Sequence, residues 1–269
     1  MTSQPLSQPS ADVQPVSKQH MAHALDGGLA GRARIGLIVL ASDHTIEHEF
    51  HRVLAPLEGV TAYGARVRND PRITPETLAA MEARIAEATD LILPGVPLDV
   101  VGYGCTSASM VIGEDKVGER IREARPGVPT TTPVTAARAA FAALGMKRIA
   151  LLTPYIDSIN QWMRGYFEER GIPVPVMGSF TEENDNDAAR VSLDSIEAAA
   201  LELGADPSVD GVFVSCTSLR LVAVAERLES RLGKPVTSSN HALIWHCLRL
   251  AGVGDALPGL GRLFREPLE

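Results

Sequence analysis

The sequence predicts an α/β protein built as two similar lobes, each a parallel sheet with helices on both faces. Two observations predict it. From Arg34 onward, short apolar runs alternate with amphipathic stretches, and the second half of the chain repeats the plan of the first. Strands that alternate with helices are joined by crossovers, and crossovers make neighbouring strands parallel.

In chain order, "MTSQPLSQPSADVQPVSKQH" is rich in Ser, Gln and Pro and has no apolar period. Residues 1–33 are therefore expected to form a disordered tail. The tail lacks the apolar stretch of a secretory signal, and Met21 offers an alternative start. "RIGLIVLA" reads as a buried strand, and "HTIEHEFHRVLA" as a helix that Asp43 can cap. "TPETLAAMEARIAEATDLIL" reads as a helix with Thr74 as N-cap, Pro75 in the first turn and Glu76 and Glu82 on its polar side. "DVVGYG" is a strand and "GEDKVGERIREA" a helix. "KRIALLTP" is a strand, followed by the helix "DSINQWMRGYFEERG", closed by Gly171. "SLDSIEAAALELGA" is helical, "GVFVSC" a strand and "LVAVAERLESRLG" a helix.

The halves match piece by piece. "ARIGLIVLASD" parallels "KRIALLTPYID". "DVVGYGCTSASM" parallels "DGVFVSCTSLRL". "GVPTTTPVTAARAAFAALG" parallels "GKPVTSSNHALIWHCLRLAG". Ile35 precedes Cys105 by 70 positions and Ile149 precedes Cys216 by 67. That period is too long for a solenoid and implies two lobes related by a pseudo-two-fold axis.

Composition narrows the function. The chain has 269 residues, 45% apolar and 22% charged, with a formal net charge of −8. The length supports one large domain or two modest ones. The negative balance argues against nucleic acid as a partner. No apolar run approaches the roughly 18 residues that span a bilayer, so no membrane insertion is expected. Cys105, Cys216 and Cys247 are too few and too odd in number for a disulfide framework, which fits a reducing cytoplasm.

Two of these cysteines occupy equivalent places. Cys105 and Cys216 each sit past the carboxyl end of a strand, where open α/β sheets place their ligands. Each precedes Thr-Ser and a helical pattern, so each thiol is expected near a helix N-terminus that favours a thiolate. Facing each other across a cleft, they would hold one substrate between two thiols. Removing a proton next to a carboxylate builds charge on the carboxylate oxygens. Thr106, Ser107, Thr217 and Ser218, with adjacent amides, are placed to cradle that charge.

Other chemistries fail on spacing. A cysteine phosphatase needs an arginine six residues after its cysteine, where Val111 and Val222 stand. No C-x-x-C pair exists for redox work. "LASDHT" after the first strand has no glycine for a nucleotide phosphate. His44 and His48 have metal-ligand spacing, but no matching partner is evident and no metal is expected. Cys247, in "HALIWHCLRLAG", reads as core, and His241 and His246 as packing or surface groups. "TSSN" at 237–240 reads as cleft floor.

The two Cys-Thr-Ser stretches, "TPYID" at 153–157 and "LPGLGRLF" near the C-terminus together resemble the maleate cis–trans isomerase and arylmalonate decarboxylase group of the aspartate/glutamate racemase superfamily. The likeness runs from about Arg34 to Phe264. "VLASDHTIEHEF" at 39–50 is most similar to the ectoine-utilisation branch, EutA. The resemblance implies two Rossmann-like lobes with the active site between them and no cofactor. It also implies a first lobe of 34–126 plus 235–269, completed by the C-terminal segment, around a second lobe of 127–234.

In the related racemases two cysteines act from opposite faces. In maleate isomerases one thiolate attacks and the second thiol is the acid. The decarboxylases keep only the second cysteine, so the presence of both here points to a racemase or isomerase. The resemblance assigns Tyr155 a hydrogen bond to a substrate carboxylate. It assigns the same task to an asparagine of the "NDND" run, Asn186, or Asn184 at a different register. Maleate isomerases have asparagine where this chain has Asp43, and an ionised Asp43 would repel a dicarboxylate. Asp43 is therefore expected to pair with a cationic substrate group or to assist Cys105. The resulting expectation is a cofactor-independent enzyme with a Cys105/Cys216 pair acting on a small carboxylate, in ectoine or 5-hydroxyectoine breakdown. An arylmalonate-decarboxylase-like lyase, a maleate isomerase and a non-catalytic binding protein are the alternatives, and the oligomeric state, a homo-oligomer included, is left open.

Overall fold

In a computed structural model, residues 16–70 and 72–268 are described. The tail expectation for residues 1–15 lies outside them. Residues 16–32 contain no helix or strand.

The first sheet has four parallel strands in the order β2 (Val60–Val67), β1 (Ala33–Leu40), β3 (Val100–Gly104), β4 (Thr130–Thr131). The second repeats it with β6 (Val176–Ser179), β5 (Ile149–Thr153), β7 (Gly211–Val214), β8 (Val236–Ser238). The predicted two-lobed parallel α/β architecture is therefore found. The four strands read directly from the sequence are the two central strands of each sheet. The four missed ones are edge strands. β4 and β8 have two and three residues, and β2 and β6 are only partly buried, so neither carries a continuous apolar run.

The period-two rule explains how β1 holds its lobe together. Ala33, Ile35, Leu37 and Val39 face one core, and Ile38 and Leu40 face the other. The second core contains α3 (Glu82–Asp90) and α5 (Glu114–Ala124). The first contains α1 (Ile46–Leu54) and α11 (Ser239–Leu250), ten of whose twelve residues are buried. A helix apolar all round has to sit between layers, and α11 packs between the first sheet and α6 (Pro133–Ala143). Val134, Ala137 and Phe141 of α6 enter the second lobe's core. Each sheet thus receives the helix that follows the other sheet's last strand.

β4 pairs with β3 and β8 with β7, so each short strand stays in its own sheet and the helix after it, α6 or α11, crosses to the other. The single helix predicted over 74–93 is broken. Thr74 caps α2 (Pro75–Ala79) as expected, its hydroxyl accepting from the Thr77 amide, but the chain turns at Ala80 and Met81 before α3. Among the described residues no helix is long and apolar enough to cross a membrane.

Candidate active site

Within each sheet the strands are parallel, so each sheet gathers its carboxyl ends at one edge, and residues from both edges meet in one cavity. β3 delivers Cys105, β7 delivers Cys216, β5 delivers Tyr155, and the segment after β6 delivers Asp185. These four, with Asn69, Arg72, Thr106, Ser107, Thr217 and Ser218, line one cavity of about 10 Å³, roughly the room of one water.

The two thiols are buried and held differently. Cys105 is the N-cap of α4 (Thr106–Ile112), and its sulfur accepts from the Ala108 amide at 3.4 Å. The Ser107 hydroxyl lies 3.8 Å from the same sulfur. The Cys216 sulfur accepts from the Ser218 amide at 3.4 Å, and the Tyr155 hydroxyl also favours its thiolate. Cys216 has a φ of +131°, an uncommon conformation for a residue with a side chain.

The expected helix after Cys216 does not form. The chain turns through residues 217–224, and α10 (Ala225–Leu232) begins only after them. The reason is a competing set of partners. Glu49, buried on α1, accepts from the Leu221 and Val222 amides through Oε1 at 2.7 and 2.8 Å. Those amides are held from the opposite lobe instead of entering a helix. The expected thiolate bias is also reversed. Burial pushes both Cys105 and Cys216 up to about 12, outweighing the hydrogen bonds that favour ionisation. Each thiol is further opposed by the charge of Asp185, and Cys105 also by that of Cys216.

The hydroxyl residues brace more than they cradle. The Thr106 hydroxyl donates to Ser239 Oγ at 2.8 Å, and the Cys216 amide donates to the same oxygen at 3.0 Å. Ser239 therefore ties the two cysteine loops together, whereas no residue of "TSSN" lines the cavity itself, so the stretch braces the site instead of forming the expected cleft floor. The Thr217 hydroxyl donates to the Gly104 carbonyl at 3.4 Å across the lobes. The Ser218 carbonyl accepts from the Thr45 hydroxyl at 2.9 Å. Tyr155 is fixed through its backbone carbonyl, which accepts from Asn160 Nδ2 at 2.7 Å and from the Ser179 hydroxyl.

Two expected site residues stand outside the cavity lining. Asp43 lies beside Thr217 and Asp185 without lining it, and its buried Oδ2 has no partner. Its Oδ1 accepts from the Thr45 and Ile46 amides at 2.7 and 2.8 Å, so it caps α1. Burial raises its pKa, while Thr217 and Arg66 favour its charge. Asn186 is exposed and bonds His44 Nε2 at 2.9 Å. Neither asparagine of "NDND" reaches the thiols. Asn184 caps the short helix α8 (Asp185–Ala188), and the first residue of that helix, Asp185, turns into the cavity. Sequence reasoning missed Asp185 because the run offers four polar residues and the cap sets which one points inward. Cys247 is core, as read: a Cβ on Gly102 would meet its sulfur at 3.1 Å.

The similarity to known proteins agrees with this geometry. A profile of the family described as arylmalonate decarboxylase matches residues 35–264. The maleate isomerase of Nocardia farcinica is 30% identical over 249 residues, spanning 88% of this chain and 97% of that protein. The arylmalonate decarboxylase of Bordetella bronchiseptica is 37% identical over 148 residues, 54% of this chain and 61% of that one. Among solved structures, a cysteine-to-serine variant of the Nocardia isomerase with a covalently bound succinylcysteine intermediate superposes with a TM-score of 0.79 at 27% identity, covering 87% of this chain and 98% of that one. The chain belongs to the arylmalonate decarboxylase family, whose members include cofactor-independent, cysteine-dependent maleate isomerases.

Proposed function

We propose that this chain is a two-cysteine isomerase or racemase of a small carboxylate, working in ectoine or 5-hydroxyectoine catabolism. What supports the chemistry is that Cys105 and Cys216, from equivalent strands of two lobes, line one cavity. One sulfur, as thiolate, takes the proton α to the carboxylate or adds to a carbon–carbon double bond next to it. The other thiol returns a proton to the opposite face; in the addition case the C–S adduct so protonated rotates about its new single bond, and the second sulfur takes a proton back as the C–S bond breaks and frees the first thiolate. In the proton-transfer case one S–H forms as the C–H breaks, then the second S–H breaks as the new C–H forms, so the sulfurs end with charge and proton exchanged. The substrate carboxylate takes up the developing charge through Tyr155, Ser107, Ser218 and the amides after each cysteine. The cavity has to widen to take such a substrate. The EutA-like stretch "VLASDHTIEHEF" supports the ectoine assignment. We also propose that the second lobe runs over about 133–238, close to the 127–234 that the resemblance implies, with residues 34–132 and 239–268 as the first.

The test is solvent-deuterium exchange, followed by proton NMR, on ectoine, 5-hydroxyectoine, amino acids and maleate. Deuterium incorporation or isomerisation is expected with the parent protein. Cys105→Ser and Cys216→Ser should each slow it by about a hundredfold or more, the usual contribution of a positioned acid or base. A Cys105→Ala variant that keeps full activity with CO₂ release would establish a one-cysteine lyase, the reading favoured by the 37% identity to the decarboxylase. No turnover on any substrate would leave a binding protein.

A further inference from the structure

Asp185 is the only carboxylate among the buried residues that line the thiol cavity, where the residues described include no buried cation. Its Oδ2 accepts from the Ser42 hydroxyl at 3.0 Å and from Asn69 Nδ2 at 3.3 Å. Ser42 and Asn69 also bond each other in both directions, Asn69 Nδ2 to Ser42 Oγ at 2.8 Å and the Ser42 amide to Asn69 Oδ1 at 3.2 Å. The ends of β1, β2 and the segment after β6 are thus knitted around one oxygen of one side chain. Among the described residues nothing donates to the other oxygen, Oδ1. A carboxylate held so firmly by Oδ2, with Oδ1 left accessible beside two thiols, can take a donor that the protein does not supply, whereas Oδ2 of the nearby Asp43 is sealed in without a partner.

The charges around it decide which donor. Asp43 lies close enough to oppose ionisation of Asp185, and His44, at the surface, weakly favours it. Arg72 lines the cavity mouth, but its side chain is 82% exposed and lies 3.9 Å from Asp70, so it does not neutralise Asp185. Ionised Asp185 opposes the formation of a thiolate at both cysteines. For a catalyst that needs a thiolate, such a charge is counterproductive unless the substrate cancels it. A second substrate carboxylate would add to the repulsion, whereas a protonated nitrogen would cancel it and complete the hydrogen bonds of Oδ1.

We propose that Asp185 is the specificity-determining residue of this site, binding a cationic nitrogen, ammonium or amidinium, on a substrate whose carboxylate lies between the two cysteines. By pairing with that nitrogen, Asp185 stops opposing the thiols, so thiolate formation is coupled to binding of the right substrate. This rests on the two-cysteine reading of the cavity but is tested separately from it.

The decisive variant is Asp185→Asn, which keeps shape and the Ser42 bond and removes the charge. The first measurement needs no substrate. Iodoacetamide alkylation of Cys105 and Cys216 is followed by mass spectrometry as a function of pH. The variant should alkylate several-fold faster than the parent at equal pH, with unchanged rates at Cys247. The second measures binding by calorimetry in a Cys105→Ser/Cys216→Ser background, with 5-hydroxyectoine as the cationic carboxylate and maleate as the dianion. With Asp185 present, 5-hydroxyectoine should bind at least tenfold tighter than maleate. Adding Asp185→Asn to that background should lower the ratio at least tenfold. A preference that survives the substitution, or maleate bound more tightly in the presence of Asp185, overturns the proposal. A charge-dependent preference in a protein without turnover would preserve the role of Asp185 and remove the enzyme reading. Turnover with a preference indifferent to Asp185 would do the reverse.

Discussion

Glu49 is the residue on which the second cysteine loop hangs, and its removal has a calculable cost. The carboxylate is buried and takes three bonds: Leu221 and Val222 amides on Oε1, and Asn240 Nδ2 on Oε2 at 2.8 Å. Glu49→Ala leaves three buried donors without an acceptor, at about 1–3 kcal/mol each. Against that, burial holds the Glu49 carboxyl at about 6 instead of 4.5, so deleting the charge recovers about 2 kcal/mol at neutral pH. The net expected loss is about 4 kcal/mol. Glu49→Gln behaves differently, because a single amide oxygen can still accept from both Leu221 and Val222. Only the Asn240 contact is spoiled, and the cost should be about 1 kcal/mol. Urea unfolding measures both. Alkylation supplies a local readout, since the loop begins at Cys216: Glu49→Ala should raise the rate at Cys216 and leave Cys105 within about twofold. Equal losses for Gln and Ala, or a loss below about 1 kcal/mol for Ala, would show that the loop is held by something else.

Two further outcomes follow from strain and from burial. At Cys216, with φ of +131°, the Gly variant should be more stable than the Ala variant by about 1 kcal/mol, whereas at Cys105, with φ of −146°, the ordinary order should hold; equal ordering at the two sites in thermal unfolding would refute the strain. Asp185 has its pKa raised from 3.8 to about 6, so the folded state holds an extra proton between those values and this group's contribution to stability falls as pH rises through that window. Asp185→Asn lacks that penalty and should be more stable than the parent by up to about 3 kcal/mol at pH 7, an advantage that vanishes by pH 4; a difference independent of pH in urea titrations would contradict it.

Much of this was legible because apolar periodicity reports central strands and buried helices. β1, β3, β5 and β7 are continuous apolar runs, and the apolar neighbours of Cys247 at helical spacing in "HALIWHCLRLAG" mark its place in the core. The duplicated Cys-Thr-Ser stretches located both thiols. What was not legible depended on partners distant in sequence. "CTSASM" and "CTSLRL" look alike, yet one opens a helix and the other does not, because Glu49 of the first lobe takes the amides of Leu221 and Val222. Asp43 spends Oδ1 on the two amides at the start of α1, a cap legible in the sequence, while its Oδ2 stays buried without a partner beside the site. Asp185 was hidden by the asparagines on either side of it.

The duplication is therefore symmetric in chain trace and asymmetric in chemistry. Cys105 opens a true helix and receives the Ala108 amide, which favours ionisation but is outweighed by burial. Cys216 has no helix, a strained backbone and the Tyr155 hydroxyl beside it. Both loops are braced by the opposite lobe: Thr217 on Gly104, Thr45 on Ser218, and Ser239 beneath both. A rigid-body shift of one lobe against the other would break these bonds together, so the relative position of the two sulfurs is set by the lobe interface and not by either loop alone. The two thiols are thus raised alike by burial while being held by different partners, and the Asp185 charge opposes ionisation of both.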